Sequence, residues 1–447
     1  MIDNSEKTIK GYRGKVFYFI ANPAKDHNSY KYYENGVLYV ENGYVLDVGD
    51  YEKLSNRYKD VSYINYTDKL IMPGFIDTHV HFPQLEMVAL YGEQLLEWLN
   101  KYTFPTEKKY FDKKYCEAQA NLFMNELINN GTTSAAIYPT VSTNSVNTIF
   151  TQALNRNMRI ISGKVMMDRN APDYLLDSAE NSYNESLLLI SKWHKHKRLS
   201  YAVTPRFAIT SSPEELGLAR KLLSKYPDLY LQTHVSENKA EIKMVKELYP
   251  NSSTYLEVYN SYDLLHKRSI FGHAVYLEDS DYELMNNKKS SIAFCPSSNL
   301  FLGSGLFDIN KTEYHNIDIG LGSDIGAGTS LSLLKTMADA YKVSQLRKIS
   351  SDNNDKSLNA LMGFYYATLG AAKSLDIDSS VGTFKKGYEA DFIVLDVNEP
   401  SILKQRQNNI QTIDDLLFSL MILGDDRTIE SVYIMGKCYK RRGQVVE

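Results

Sequence analysis

The chain has 447 residues, with 50 Lys and Arg against 54 Asp and Glu and a formal net charge of −4. That balance excludes a general nucleic-acid binder, which needs a basic footprint; 43% hydrophobic and 23% charged residues exclude a mostly disordered chain. Three widely separated cysteines exclude a disulfide framework, and no run approaches the ~20 apolar residues of a membrane span.

The opening Met1–Pro23 holds one short apolar run, Val16–Ala21, without a cleavage-like pattern behind it, so a cytoplasmic chain is expected. Residues 1–70 read as short alternating strands, with Asn35-Gly36 and Asn42-Gly43 as turn signals. Strand-like Phe392–Val397 and Ser431–Met435 echo them at the other end. One small β-sandwich domain built from residues 1–70 and 381–447 is therefore expected, because chain ends often lie close together.

Between these ends, eight apolar runs alternate with helix-like stretches such as Glu214–Lys225 and Lys239–Leu248. The runs are Leu70–His81, Thr132–Thr140, Arg159–Asp168, Leu199–Phe207, Leu229–Val235, Ser269–Leu277, Ser291–Pro296 and Ile317–Asp324. Buried parallel strands read as apolar runs, so residues 71–380 are predicted to form a (β/α)₈ barrel of the α/β class. A doubly wound sheet is the alternative, but the first run ends in His-Val-His rather than a Gly-rich phosphate loop. Polar Lys348–Ser357 reads as a loop.

In a barrel, the C-terminal ends of the strands build the active face. His79 and His81 lie two apart on one strand, so both imidazoles project to one face and can chelate one ion. His234 ends the fifth run, His273 lies in the sixth and Asp324 ends the eighth. Singly, each has an ordinary reading, a packed histidine or a helix N-cap. Four of nine histidines plus an aspartate at one barrel end instead form a ligand set suited to Zn²⁺, with Fe²⁺ as the alternative. The fourth run contains no lysine and Lys164 lies before the end of the third, where it reads as paired to a carboxylate; a mononuclear site follows. Glu237, three residues past His234, is the candidate proton carrier beside that ion. Its alternative is a first-turn helix glutamate.

Pro73-Gly-Phe-Ile-Asp-Thr-His-Val-His81, together with His234, His273 and Ser323-Asp324, resembles the amidohydrolase superfamily over nearly the whole chain. The resemblance is to its guanine deaminases in particular. It is carried by His81-Phe-Pro-Gln84, Leu95-Leu-Glu-Trp-Leu-Asn-Lys-Tyr-Thr-Phe-Pro105, Pro205-Arg-Phe207, His234-Val-Ser-Glu237 and Cys295-Pro-Ser-Ser-Asn299. The resemblance implies one Zn²⁺ per chain on His79, His81, His234 and Asp324, with His273 a ligand or a close donor. It implies that Glu237, Asp324 and His273 act in hydrolytic deamination of guanine to xanthine and ammonia. Gln84, Trp98, Arg206 and Phe207, with Glu237, would hold the purine. It also implies a homodimer acting on a small purine base, with no nucleic-acid or membrane partner. Core packing is the alternative for Phe207 and Trp98, and a surface ion pair for Arg206.

Three rivals are set against this. Other amidohydrolase deaminases, for cytosine, 8-oxoguanine, adenosine-like or triazine substrates, share the metal framework. A cytidine-deaminase-like fold would need a C-x-x-C pair, which this chain lacks. A catalytically dead scaffold would be expected to have lost ligands that are all present. The 34 tyrosines lie mostly outside these motifs and read as compositional bias, with Tyr102 in the substrate loop the exception.

Overall fold

The computed structural model describes residues 9–351, 355–441 and 444–446. Eight parallel strands run Phe75–His81, Thr132–Tyr138, Arg159–Ser162, Leu199–Pro205, Tyr230–Val235, Ser269–His273, Ser291–Phe294 and Ile319–Leu321. They are hydrogen-bonded in that order, one within each of the eight apolar runs. The seam between the first and eighth closes through Asp324 N–H to the His79 carbonyl (2.9 Å) and His81 N–H to the Ile325 carbonyl (3.2 Å). The result is a TIM-type barrel. Its floor is filled by Ile76, Ala136, Ile161, Ala202, Ile270 and Ala293, plugged from below by Ala371 and Ala372 of helix Leu369–Ser374. With the floor packed, only the opposite mouth is free to build a site.

The run Leu70–His81 is not one strand. It breaks at Pro73-Gly74 into Ser62–Pro73, which belongs to the end sheet, and Phe75–His81, which belongs to the barrel. Pro73 has no N–H to continue a ladder, and Gly74 turns its N–H to the Asp391 carbonyl at 3.0 Å.

The end sheet takes Ser62–Pro73, Ile9–Phe19, Tyr30–Glu41 and Tyr44–Asp50 from the front of the chain. Phe392–Leu395, Ile429–Ile434, Lys437–Arg441 and Gln444–Val445 complete it from the back. The sheet curls on itself: Val45 N–H reaches the Tyr388 carbonyl (2.8 Å) and Ala390 N–H reaches that of Gly43 (2.8 Å). Tyr12, Val16, Leu38, Phe392, Val394 and Tyr433 are enclosed within it. Asn42-Gly43 is the expected hairpin turn, both residues having positive φ (53° and 86°). Asn35-Gly36 is not a turn. It lies inside Tyr30–Glu41, opposite Gly14, where the pairing slips by a bulge. Residues 1–8, 442–443 and 447 of the end segments lie outside the described residues.

Polar Lys348–Ser357 is likewise not all loop. Its first three residues finish helix Leu333–Ser350, whose buried stripe includes Leu334, Met337, Ala340 and Val343; residues 352–354 lie outside the described ones. The two units are joined by a buried charge cluster. Arg198 pairs through Nη2 with Glu389 (2.7 Å) and with Asp391, and Arg159 pairs with Glu389. No helix among the described residues is long and apolar enough to cross a membrane.

Candidate active site

The strand ends turn sharply at the barrel mouth. His273 (φ 68°), Ser236 (φ 49°) and Asp324 (φ 48°) all adopt left-handed backbone, a conformation that is held at cost and clusters at functional sites. In the first strand, register against the second shifts between Asp77 and Val80, a bulge of the kind that re-aims a side chain. His79 and His81 emerge beside each other with Nε2 atoms 3.2 Å apart.

His81 Nε2 is also 3.2 Å from His234 Nε2, and Asp324 Oδ1 is 3.4 Å from His79 Nε2 and 3.3 Å from His81 Nε2. Donor atoms sharing one ion at about 2.0–2.1 Å in tetrahedral geometry stand about 3.3–3.4 Å apart, so the spacing fits such an ion. Protonation fits as well. His234 Nδ1 lies 2.7 Å from the Arg206 carbonyl, which can only accept, so the proton is on Nδ1 and the Nε2 lone pair faces the other imidazoles. Burial, reinforced by the neighbouring imidazoles, pushes His81 and His234 well below the usual histidine range, and burial also lowers His79. Three imidazoles whose charged form is disfavoured and a carboxylate oxygen at this spacing form a candidate cation site.

The His79 ring has room only because Gly272 faces it. A Cβ there would stand 2.6 Å from His79 Cε1. Tyr138 packs its ring on His79, His81 and His234, with centroids 4.6, 4.7 and 5.0 Å away. Asp77 is fully buried, accepts from Ser323 and from His79 N–H (3.1 Å), and is pushed up to about 7 by burial. It ties the first strand to the eighth just beneath the donors.

His273 stands to one side. Its Nδ1 bonds Asn299 Oδ1 (2.8 Å), while Nε2 lies 3.5 Å from Glu237 Oε2 and 3.7 Å from Asp324 Oδ2. Burial opposes charge on His273, but the two carboxylates outweigh it and raise its pKa. Asp324 therefore turns one oxygen to the three-imidazole cluster and the other to His273. Burial would raise Asp324, yet His79 and His273 hold it below the usual carboxylate range. Glu237 is raised, chiefly by burial, and Ser304 Oγ donates to its Oε1 at 3.0 Å. It precedes the N-cap of helix Lys239–Leu248 rather than lying in the first turn. Cys295 Sγ is close enough to His79, His273 and Asp324 to join a second donor grouping, but burial holds it as a thiol.

Gln84, Trp98, Arg206 and Phe207 line one cavity with His81, His234, Glu237, His273 and Asp324. Arg206 is not a surface residue; it is buried at the end of the fourth strand and paired with Glu107. Trp98 both lines the cavity and packs edge-on against Tyr102 and Phe301. Lys164 is buried and paired with Asp177 (2.7 Å) and Glu185 (3.4 Å).

Sequence reasoning did not assign roles to Glu107, Ser304 or Asp77. Asn299 was visible only as part of a family-like segment. Leu95, Leu99, Leu302 and Ala327 complete the apolar wall. Gln94 spans three loops, accepting from Asn238 Nδ2 (2.9 Å) and donating to the Leu302 carbonyl (3.1 Å).

Residues 70–439 match the model of the amidohydrolase family. The chain is 47% identical over 443 residues to a guanine deaminase of Escherichia coli (strain K12), covering 98% of this chain and 99% of that one. A solved structure of E. coli guanine deaminase superposes with a TM-score of 0.93 over 97% of this chain and 100% of that one. A guanine deaminase from C. acetobutylicum, solved with guanine bound in its active site, superposes with a TM-score of 0.89 at 31% identity, covering 96% and 100%.

Proposed function

The chain belongs to the amidohydrolase family, and within it we propose that it is a hydrolase converting guanine and water to xanthine and ammonia. The observation that carries this is one cavity in which Gln84, Arg206 and Phe207 face the donor cluster and Glu237. The near full-length likeness to guanine deaminases supports it.

The reading takes one Zn²⁺ per chain on His79, His81, His234 and Asp324, with Fe²⁺ as the alternative. Lys164 is committed to Asp177 and Glu185, which supports a single ion. When bound, the ion supplies the Lewis acidity that makes water a nucleophile near neutral pH.

The chain's own groups move the protons. Protonated Glu237 gives its proton to guanine N3, which makes C2 electrophilic. Water oxygen adds to C2, and Asp324 takes the proton that water sheds. In the adduct, Asp324 returns a proton to the 2-amino group while Glu237 takes the proton of the new hydroxyl. The C2–N bond breaks, ammonia leaves, the C2 carbonyl of xanthine forms, and both carboxyl groups are reset. His273, between the two carboxylates, keeps them on the same side of the substrate. Arg206 donates to O6 and Phe207 contacts the ring face. Buried polar readers reject a base that leaves them unpaired.

The test is ammonia release from guanine, cytosine, adenine and 8-oxoguanine, with and without chelator. Chelator-sensitive release from guanine is expected. Inert guanine beside turnover of another base would overturn the substrate assignment. The same reading takes the enzyme as a cytoplasmic homodimer, whose mass sedimentation would measure.

A further inference from the structure

Arg206 and Gln84 share a partner outside the reaction. Glu107 closes helix Phe104–Glu107, in the long loop after the first barrel strand, and is fully buried. Both of its carboxylate oxygens accept from Arg206 Nη1, at 2.8 and 2.9 Å, and the neighbouring Gln84 amide favours its charged form as a donor. The Phe104 ring stands 5.6 Å from the same guanidinium. A buried carboxylate is costly unless it is paired and hydrogen-bonded, and both groups that pair with this one line the substrate cavity.

Donor and acceptor rules then set the polarity of the cavity wall. An ionised carboxylate only accepts, so Gln84 must turn its amide NH₂ to Glu107. That leaves Gln84 Oε1, 3.4 Å from Gly326 N, as the acceptor end. Arg206 is a donor only, and with Nη1 held by Glu107 its other N–H groups remain for a ligand. The pair also cancels charge, so the wall offers directed hydrogen bonds rather than a net positive field. A fixed donor beside a fixed acceptor complements a lactam edge, a carbonyl beside a ring N–H. It mismatches an amidine edge, where an amino group stands beside a bare ring nitrogen.

We propose that Glu107 is the positioning residue that sets this polarity, fixing Arg206 as donor and Gln84 as acceptor so that the pocket takes 6-oxopurines and refuses 6-aminopurines. The inference rests on the guanine reading above and deepens it.

The test compares guanine with 2,6-diaminopurine, which keeps the reacting 2-amino group but inverts the other edge. Glu107→Gln can donate or accept, so it releases Gln84. Its kcat/KM for guanine is expected to fall roughly 10- to 100-fold, mainly through KM. The preference for guanine over 2,6-diaminopurine should collapse, with metal content and Tm close to wild type. Proportional loss on both substrates, with the ratio intact, would overturn the proposal. Glu107→Asp keeps an acceptor-only group and should keep the ratio even where the rate falls; a lost ratio there would also overturn it. Wild-type inertness toward guanine would instead defeat the parent reading. Calorimetric binding of hypoxanthine against adenine, in wild type and Glu107→Gln, then reads Glu107 alone, and equal affinities in the wild type would reject its role.

Discussion

His234 donates its Nδ1 proton to the backbone carbonyl of Arg206 across 2.7 Å. One residue thus serves two neighbours: its main chain fixes the tautomer of a cluster histidine and its side chain reaches into the substrate cavity. The two roles separate on mutation. Arg206→Ala keeps the carbonyl, so metal content by elemental analysis should stay at the wild-type level. Its kcat/KM for guanine should fall by roughly 100-fold, because the variant loses a charge-assisted bond and leaves Glu107 unpaired. Loss of metal in this variant would show that the side chain also supports His234.

Glu237 is buried, its Oε2 3.5 Å from His273 Nε2 and its Oε1 accepting from Ser304 Oγ. Glu237→Gln preserves shape and removes the transferable proton. Turnover should drop by about 10²–10⁴-fold, the usual worth of a general acid–base group, with metal content unchanged. Steady-state rates paired with metal analysis on one preparation check this.

Gly272 makes a test that leaves every donor in place. A methyl at this position pushes on the His79 ring from 2.6 Å. Gly272→Ala should therefore bind the ion more weakly, lose activity at lower chelator concentration than wild type, and regain it with added Zn²⁺. Chelator titrations of the two proteins compare directly.

Glu215 gives a pH test away from the active site. Burial, with the Asp168 charge adding to it, pushes its carboxyl up to about 8. The folded protein therefore holds this proton more tightly than the unfolded chain. Its contribution to stability is complete below the unfolded value near 4.3 and is lost as pH rises through about 8. Across that window the loss runs at about 1.4 kcal/mol per pH unit. Glu215→Gln should remove this slope, so the Tm difference from wild type should grow in the variant's favour between pH 5 and about 8. A difference that does not change with pH would contradict it.

Arg198 neutralises Glu389 and Asp391 where the end sheet meets the barrel. Arg198→Met leaves Asp391 buried without its cation and Glu389 with Arg159 alone, and should cost about 3–5 kcal/mol, the range for breaking a buried pair from one side. Calorimetry should show a lowered Tm.

Much of the site was readable because its residues belong to local patterns. His79 and His81 are two apart on a strand, and His234 and Asp324 end apolar runs, so strand periodicity alone brings them to the same mouth. The helix Lys239–Leu248 was equally plain from its spacing. Glu107 was not, because its meaning lies in Arg206, 99 residues away. Ser304 and Asp77 also act through long-range contacts, 67 and 246 residues in sequence. Asn35-Gly36 misled for a related reason. The dipeptide favours a turn locally, but Gly36 pairs with Gly14 on one side and Asp50 on the other, so the strand runs through it. The break at Gly74 was hidden because strands on either side of it are buried, so the apolar run continues across the boundary.

The barrel closes where the donor cluster sits, with Asp324 N–H on the His79 carbonyl. His79 is in the first strand and Asp324 follows the last, so the four-donor set does not exist until the whole barrel has been threaded. A chain emerging from the ribosome presents His79 and His81 long before Asp324 has been synthesised. The half-built pocket can offer an ion only part of its grip. On the metal reading proposed above, loading would report completion: a chain that held an ion tightly would be one whose barrel has shut.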